Sequence, residues 1–400
     1  DNSGATFPLN MLYTDGSGNL LSAPSKQRTN HVIVRTAADL PAASGGIITL
    51  SSGTLYEVNG TIVVTNKINL NGCYLVGRDA NNDKIIYTPS SGELFTGTKG
   101  GTIRLLTLVA SSTGSKLFNL DMSATENLLV RDAIIANCKD VGLVKGGYIT
   151  FFSVINYSGN TVGITYQNNA NLFLDNTPWF PSNTGTFEKL VGTFDVIEKL
   201  GGFYQPMAAS SATALDVTGV TSITESGILK NTAFMGTGTK VNGSFSNKWE
   251  VEASGIATEK DDVSTGNIYL TSVVTTTFSN TNTPTKVLGA TAAASLFRVT
   301  SPADNRLSYI GGKNKRFQVI ASVSVTSQAA NKYFSLYIVK NGVILPESKQ
   351  ALRLSSGVDK GSVTLSCTVL LGTNDYIEVW AENNSDLSSL TVETLNLAIK

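Results

Sequence analysis

The stretch LLVRDAIIANCKDVGLVKGGYITFFSVI, residues 128–155, decides the fold. Two similar apolar runs, LLVRDAI at 128 and ITFFSVI at 149, flank a shorter one, VGLV at 141, with Gly and Asn between them. Runs this short, bounded by turn residues, read as strands rather than helices. Working outward, the same text recurs in two interleaved series. LFTG at 94, LFNL at 117, VGLV at 141 and VGIT at 162 form one. IRLLTLV at 103, LLVRDAI at 128, ITFFSVI at 149 and NLFLDNT at 171 form the other. A repeat in the low twenties, with two or three strands and no helical segment, is the signature of a solenoid. One coil cannot bury its own apolar face, so successive coils must stack.

Superposing the second series places Val130, Phe152 and Leu174 in one column and Leu129, Phe151 and Phe173 in the next. Side chains alternate across a strand, so one column points into the coil and the other points out. Both are apolar. The outward column is expected to be covered by another subunit, with a sugar-stacking platform as the alternative. WFPSNTGTFEKLVGTF at 179–194 breaks the rhythm and reads as a loop or short helix leaving the stack. EKLVGTFDVIEKLGG at 188–202 carries the best helical period in the chain. The strand rhythm resumes over 214–243.

From Gly266 the pattern becomes strict alternation. Phe317, Val319, Ala321, Val323 and Val325 share one face, as do Phe334, Leu336 and Ile338. Val363, Leu365, Cys367, Val369 and Leu371 form another such set, which makes Cys367 a small core residue. Ile377, Val379 and Ala381 alternate against Tyr376, Glu378, Trp380 and Glu382. Asn341-Gly342 predicts a type I′ hairpin turn. In LTVETLNLAIK the apolar phase switches between Val392 and Leu395, which predicts a bulge near Glu393-Thr394. Eight to ten short strands without a helix imply a jelly-roll sandwich. Ile320, Tyr337, Val339 and Leu370 interrupt faces that a lone sandwich would make polar, and burying each would contribute about 1.5–3 kcal/mol. A subunit interface is the expected place for them.

Composition narrows function. The chain has 400 residues, 41% apolar and only 15% charged, with 30 basic residues against 30 acidic. Nothing in that balance points to nucleic acid or an anionic membrane, and no apolar run reaches the roughly 18–20 residues of a span. Three separated cysteines, Cys73, Cys138 and Cys367, make no disulfide framework and fit assembly in a reducing compartment. The sequence opens at Asp1, read as lying downstream of an initiator methionine, with no signal-peptide pattern. His31 is the single histidine, so any Ser-His-Asp or zinc chemistry would depend on it. It sits in the strand-like NHVIVRT and is expected to be structural.

The coil length and strand rhythm resemble the right-handed parallel β-helix of phage tailspikes and the pectin-lyase-like family over 46–245. FSLYIVKNGVIL with GSVTLSCTVLLGTNDYIEVWAEN is similar to the tumour-necrosis-factor and C1q type of jelly roll over 266–400. That resemblance implies a tight trimer with one sheet facing a threefold axis, and a terminal strand lying centrally in its sheet. The expected organisation is a lead-in at 1–45 with one strand, which attaches to another virion protein. A parallel β-helix follows at 46–245, then a linker at 246–265 and a trimerising, binding head at 266–400. EKDD at 259–262 is read as a solvated junction, since adjacent Asp261 and Asp262 lack calcium-loop spacing.

Phage β-helices often cleave polysaccharide with carboxylate pairs, so the spacing of the acidic residues in the coils matters. A retaining pair wants about 5–5.5 Å and an inverting pair about 6.5–9.5 Å, which carboxylates in adjacent coils could supply. In the superposition Asp175 sits over Ser153 and Arg131, and Asp132 sits under Val154 and Asn176, so neither column offers a pair. Asp121, Glu126 and Asp140 fall at expected turns. If the chain were an enzyme, Asp132, Asp175, Asp121 and Asp140 would be the candidates; none is expected to act, and no cofactor or metal is expected. The reading is an all-β, homotrimeric virion spike or fibre, assembled in the host cytoplasm and displayed on the virion surface. It would bind a host glycan or receptor, with Tyr333, Tyr337, Tyr376 and Trp380 as contact residues and no membrane insertion. The alternatives are a tailspike depolymerase, acting as glycosidase or lyase, and a bacterial surface adhesin.

Overall fold

The computed structural model describes residues 10–14, 17, 20–24 and 30–400. The chain is all-β, with a parallel β-solenoid of about nine turns and antiparallel sheets. Helical turns among the described residues are four short 3-10 segments. Two compact units divide it, residues 1–170 with 177–188 and residues 171–176 with 189–400. Of the lead-in, residues 1–9, 15, 16, 18, 19 and 25–29 lie outside the described residues. One strand is expected there, and the described residues form three: Asn10–Thr14 pairs antiparallel with Leu20–Pro24, and His31–Val34 joins the parallel ladder beside Leu55–Val58. Parallel pairing thus includes residues upstream of 46.

In the first unit each coil contributes strands to three parallel ladders. Val32, Tyr56, Leu75, Ile103, Val130 and Phe152 stack in register along the first. From Tyr56 to Phe152 that column is buried, while Leu129 and Phe151 beside it are half-buried on the outer side, as alternation requires. The second ladder runs through Thr61–Val64, Lys84–Tyr87 and Thr107–Ala110. Along the third, Phe95, Phe118, Gly142 and Ile164 align. Here the expected superposition of VGIT on VGLV is off by one. Ile164, not Gly163, faces Gly142, and Val162 is exposed. Gly163 is pressed against the chain, where a Cβ would lie 2.0 Å from the Phe187 carbonyl oxygen.

In the first unit the bend between the first two ladders falls on Leu105, Asp132 and Val154, all of positive φ; within the second unit Asn176, Gly201 and Asn231 have positive φ as well. Asn and Gly tolerate that conformation, whereas a β-branched Val adopts it rarely. These corners turn Asn127–Ala136 and Ile149–Ser158 from one face of the coil to the next within single strands.

Of the loop or short helix expected over 179–194, residues 180–185 are a loop, but no helix forms there or over 188–202. Thr186–Leu200 is one strand. Its buried Phe187, Leu190, Phe194 and Ile197 imitate a helical period because the buried side of the strand switches parity twice, between Phe187 and Leu190 and between Phe194 and Ile197.

In the second unit, residues from Thr265 onward form two antiparallel sheets over one core. The six-stranded sheet orders Gly289–Phe297, Thr265–Val273, Leu390–Ile399, Lys315–Ser327 and Gly361–Leu371, with Thr275–Thr276 pairing Leu390–Ile399. Leu390–Ile399 is central in it, and the register slips opposite Ser324/Val325 so that Glu393 is the extra residue. The seven-stranded sheet is built around Tyr376–Asn383 and Lys332–Lys340. Asn341 and Gly342 both have positive φ, as a type I′ turn demands. Phe317, Val319, Leu336, Ile338, Val379 and Leu397 meet in the core, and Cys367 is buried among them.

Two expectations change. Tyr337 and Val339 need no second subunit, because the chain covers them itself. Val339 pairs with Ile344, and the Pro346–Ser348 turn folds back so that Ser348 Oγ accepts the Ile338 N–H at 2.8 Å. Nor is the EKDD segment solvated throughout: Asp261 is buried and ion-paired with Arg298.

Candidate functional site

Alternation on two neighbouring strands assembles the candidate face. Lys332–Lys340 and Tyr376–Asn383 pair antiparallel, with Ser335 opposite Glu382, Tyr337 opposite Trp380 and Val339 opposite Glu378. These residues, with Tyr333 and Tyr376, point away from the core. The structure therefore brings all four expected contact aromatics to one sheet face. They are not equally available. Tyr333 is exposed, with Arg353 5.8 Å from its ring centre; Tyr376 and Trp380 are half-buried; Tyr337 is buried.

Two glutamates lie between the aromatics, Glu378 and Glu382, at 1% and 6% exposure. Buried carboxylates need partners. Glu378 has Lys286 Nζ at 2.6 Å, Arg306 Nε at 2.8 Å and Trp380 Nε1 at 2.8 Å. Arg306 also stacks on Tyr376, 3.8 Å from its ring centre. Glu382 accepts from Tyr337 Oη, from Asn384 Nδ2 at 2.9 Å and from Lys349 Nζ at 3.4 Å. Burial pushes both carboxyls up, but these hydrogen bonds outweigh it and hold them below the usual range. Burial, and then the bond to Glu382, pushes the Tyr337 hydroxyl up.

A carboxyl kept ionised by two cations is a poor general acid, which needs a pKa near the working pH. The face can instead offer ring surface and fixed charges to a polar ligand. Glu378 and Glu382 were legible from DYIEVWAEN as residues on the aromatic side. Lys286 and Arg306 arrive from distant segments, and no local pattern marks them.

The candidate carboxylates of the coils are scattered. Asp121 lies within the Ser115–Met122 strand rather than at a turn, and pairs with Lys145 at 2.8 Å. Asp132 occupies a corner and pairs with Arg104 at 2.9 Å. Asp140 pairs with Lys116 at 3.3 Å. Asp175 is exposed and stands in register with Leu200. His31 pairs with Glu57 at 3.0 Å, and Arg78 holds the other Glu57 oxygen at 2.6 Å. Among the described residues, no group of three or more His, Cys, Asp or Glu is placed to hold a metal.

Comparison with protein-family profiles and with curated proteins finds no match. Among solved structures, murine APRIL aligns with 34% of this chain and 98% of its own, at 10% identity and TM-score 0.24. The vertex protein P5 of PRD1 aligns with 34% of this chain and 96% of its own, at 11% identity and TM-score 0.23. The enzymatically active domain of tailspike protein 4 from bacteriophage CBA120 covers 88% of this chain and 68% of its own, at 9% identity and TM-score 0.16. Scores this low add nothing to the fold already described.

Proposed function

We propose that this chain is a homotrimeric spike or fibre protein of a virion, which binds a host-surface glycan or receptor and does not cleave it. The observation that carries this reading is the contrast between the two outer faces of the sandwich. The seven-stranded face is laced with Lys286, Arg306, Lys349, Glu378 and Glu382 around its aromatics. The centre of the six-stranded face is uncharged. One cross-strand row there is Ser366, Ile320, Ala398 and Asn267, and the next is Thr364, Ser322, Asn396 and Tyr269. Around a symmetry axis a residue meets its own copy, so any charge near the axis would repel itself. An uncharged sheet centre suits that position, and the half-buried Ile320 and exposed Leu370 suit burial there.

The six-stranded face then turns inward in the trimer, and the face carrying Tyr333, Tyr376 and Trp380 turns outward. Three equivalent sites on one rigid assembly gain avidity without strong individual contacts. The lead-in attaches the spike to another virion protein, and the coils give it stiffness. The test is light scattering of purified full chain at micromolar concentration, followed by imaging of the intact particle. A trimer seated on the particle surface is expected. A stable, soluble single chain overturns the reading, and shortening of host polysaccharide by the purified protein overturns its binding-only part.

A further inference from the structure

We propose that the segment joining the last coil to the sandwich, fastened by Arg298, is a lock that closes the end of the solenoid and fixes the sandwich on it in one orientation. Trp249–Ser254 is the final parallel strand of the second unit, paired on one side through Gly227–Trp249 and Leu229–Val251. Its other edge would present unpaired backbone groups, a template for unwanted strand pairing. The chain doubles back over that edge instead. Val251 and Glu259 exchange both backbone hydrogen bonds, each 2.9 Å.

Arg298 reaches this fold-back from the sandwich. Its Nη2 donates to the carbonyl oxygens of Trp249 and of Glu259, the latter at 3.0 Å, and its Nη1 pairs with Asp261. One guanidinium therefore ties the last strand, the segment bridged to it at Glu259 and the rest of the connection. The second Asp261 oxygen accepts the Lys313 N–H at 2.7 Å, and Asn247 Nδ2 donates to the Ile310 carbonyl at 2.7 Å. Lys313 pairs with Glu250.

Arg298 and Asp261 are both more than nine-tenths buried, and Arg298 holds a φ of 54°. A non-glycine backbone kept in so sparsely populated a conformation points to a constraint stronger than local preference. A buried ion pair is no better than apolar packing as a source of stability. What this one supplies is direction, since a planar fork with fixed donors accepts one arrangement of carbonyls and carboxylate. Stacked-repeat folds need their ends capped, and here the cap and the head are the same body. The lock does not depend on the oligomeric state.

Hydrogen exchange of the full chain tests it. Peptides covering 249–259 are expected to exchange as slowly as those of the sandwich core around Val319 and Leu365. Arg298→Met should speed exchange at 249–259 by roughly a hundredfold or more, and leave the sandwich core protected. Should Arg298→Met fail to fold, Arg298→Lys decides, because it keeps the charge but cannot span both carbonyls. Unchanged exchange at 249–259 in the folded variant overturns the proposal, as does fast exchange there in the native protein.

Discussion

Trp380 and Glu378 stand two positions apart on one strand, and the Trp380 indole Nε1 donates to the Glu378 carboxylate at 2.8 Å. The polar atom of the indole is thus committed within the chain, and its ring is what remains for a partner. Under the proposed binding role, Trp380→Phe should therefore keep ligand binding, whereas Trp380→Ala should weaken the proposed site by about three- to tenfold, the worth of an aromatic contact. Surface plasmon resonance on immobilised host polysaccharide, comparing the two variants, is the measurement. Equal loss in both would mean that the indole N–H itself contacts the ligand.

The same carboxylates set an acid limit. Glu378 and Glu382 are both held below the ordinary glutamate value of 4.5, their hydrogen bonds outweighing burial. A depressed carboxyl contributes stability that is present above the unfolded pKa and lost as pH falls through the lower folded one. The thermal midpoint should then be level from neutral pH to about 4.5 and fall below it. Glu378→Gln should lower the midpoint at neutral pH and shallow its decline in acid. A midpoint unchanged at about pH 3 contradicts the argument.

Ser322 lies at the uncharged centre of the six-stranded face, exposed in the single chain and opposite Thr364 and Asn396. If the proposed trimer packs this face on its axis, Ser322→Glu should leave monomers while costing the sandwich itself little, since surface changes generally fall within about 0.5 kcal/mol. Light scattering and circular dichroism together separate the two effects. A trimer that tolerates this glutamate would move the axis to another surface.

How much of this was legible beforehand depended on whether one rule governed a whole strand. Phe317 to Val325 alternate without interruption, and every one is buried. The phase switch at Glu393 was readable because apolar residues stand on both sides of it. Phe187 to Ile197 misled because two parity switches fall within one strand, and its short alternating patterns sum to a false helix. The corner at Asp132 was hidden for a related reason. Left-handed backbone is expected at Gly or Asn, and this column also uses Leu105 and Val154. At the candidate face the aromatics could be read from alternation, but the cations that neutralise Glu378 come from Lys286 and Arg306 and could be placed only by the fold.

The cysteines offer a direct check on burial. Desolvation pushes the thiols of Cys73 and Cys138 up to about 12, and that of Cys367 up to about 11. Thiolate is the reactive form, so the folded protein should not react with a thiol reagent at pH 8, and unfolding should release all three. Rapid labelling of even one native thiol would show that its surroundings open.

Tyr157 and Trp179 stack inside the coil with ring centres 3.8 Å apart and planes 3° from parallel, and Phe187 continues the stack 5.1 Å beyond. Trp179 Nε1 donates to buried Glu188 at 2.8 Å, and Thr177 Oγ1 donates to the same oxygen at 3.3 Å. Two contributions can be separated. Trp179→Ala removes ring and donor together and should cost about 3–5 kcal/mol, with a further loss because a buried carboxylate is left short of one donor. Trp179→Phe keeps most of the stack and removes only the donor, so it should cost about 1–3 kcal/mol. If the donor is the cause, Glu188→Gln should shrink the penalty of Trp179→Phe, and a double-mutant cycle in denaturant should give a coupling above about 0.5 kcal/mol. Additive losses would instead assign the cost of Trp179→Phe to packing around the smaller ring.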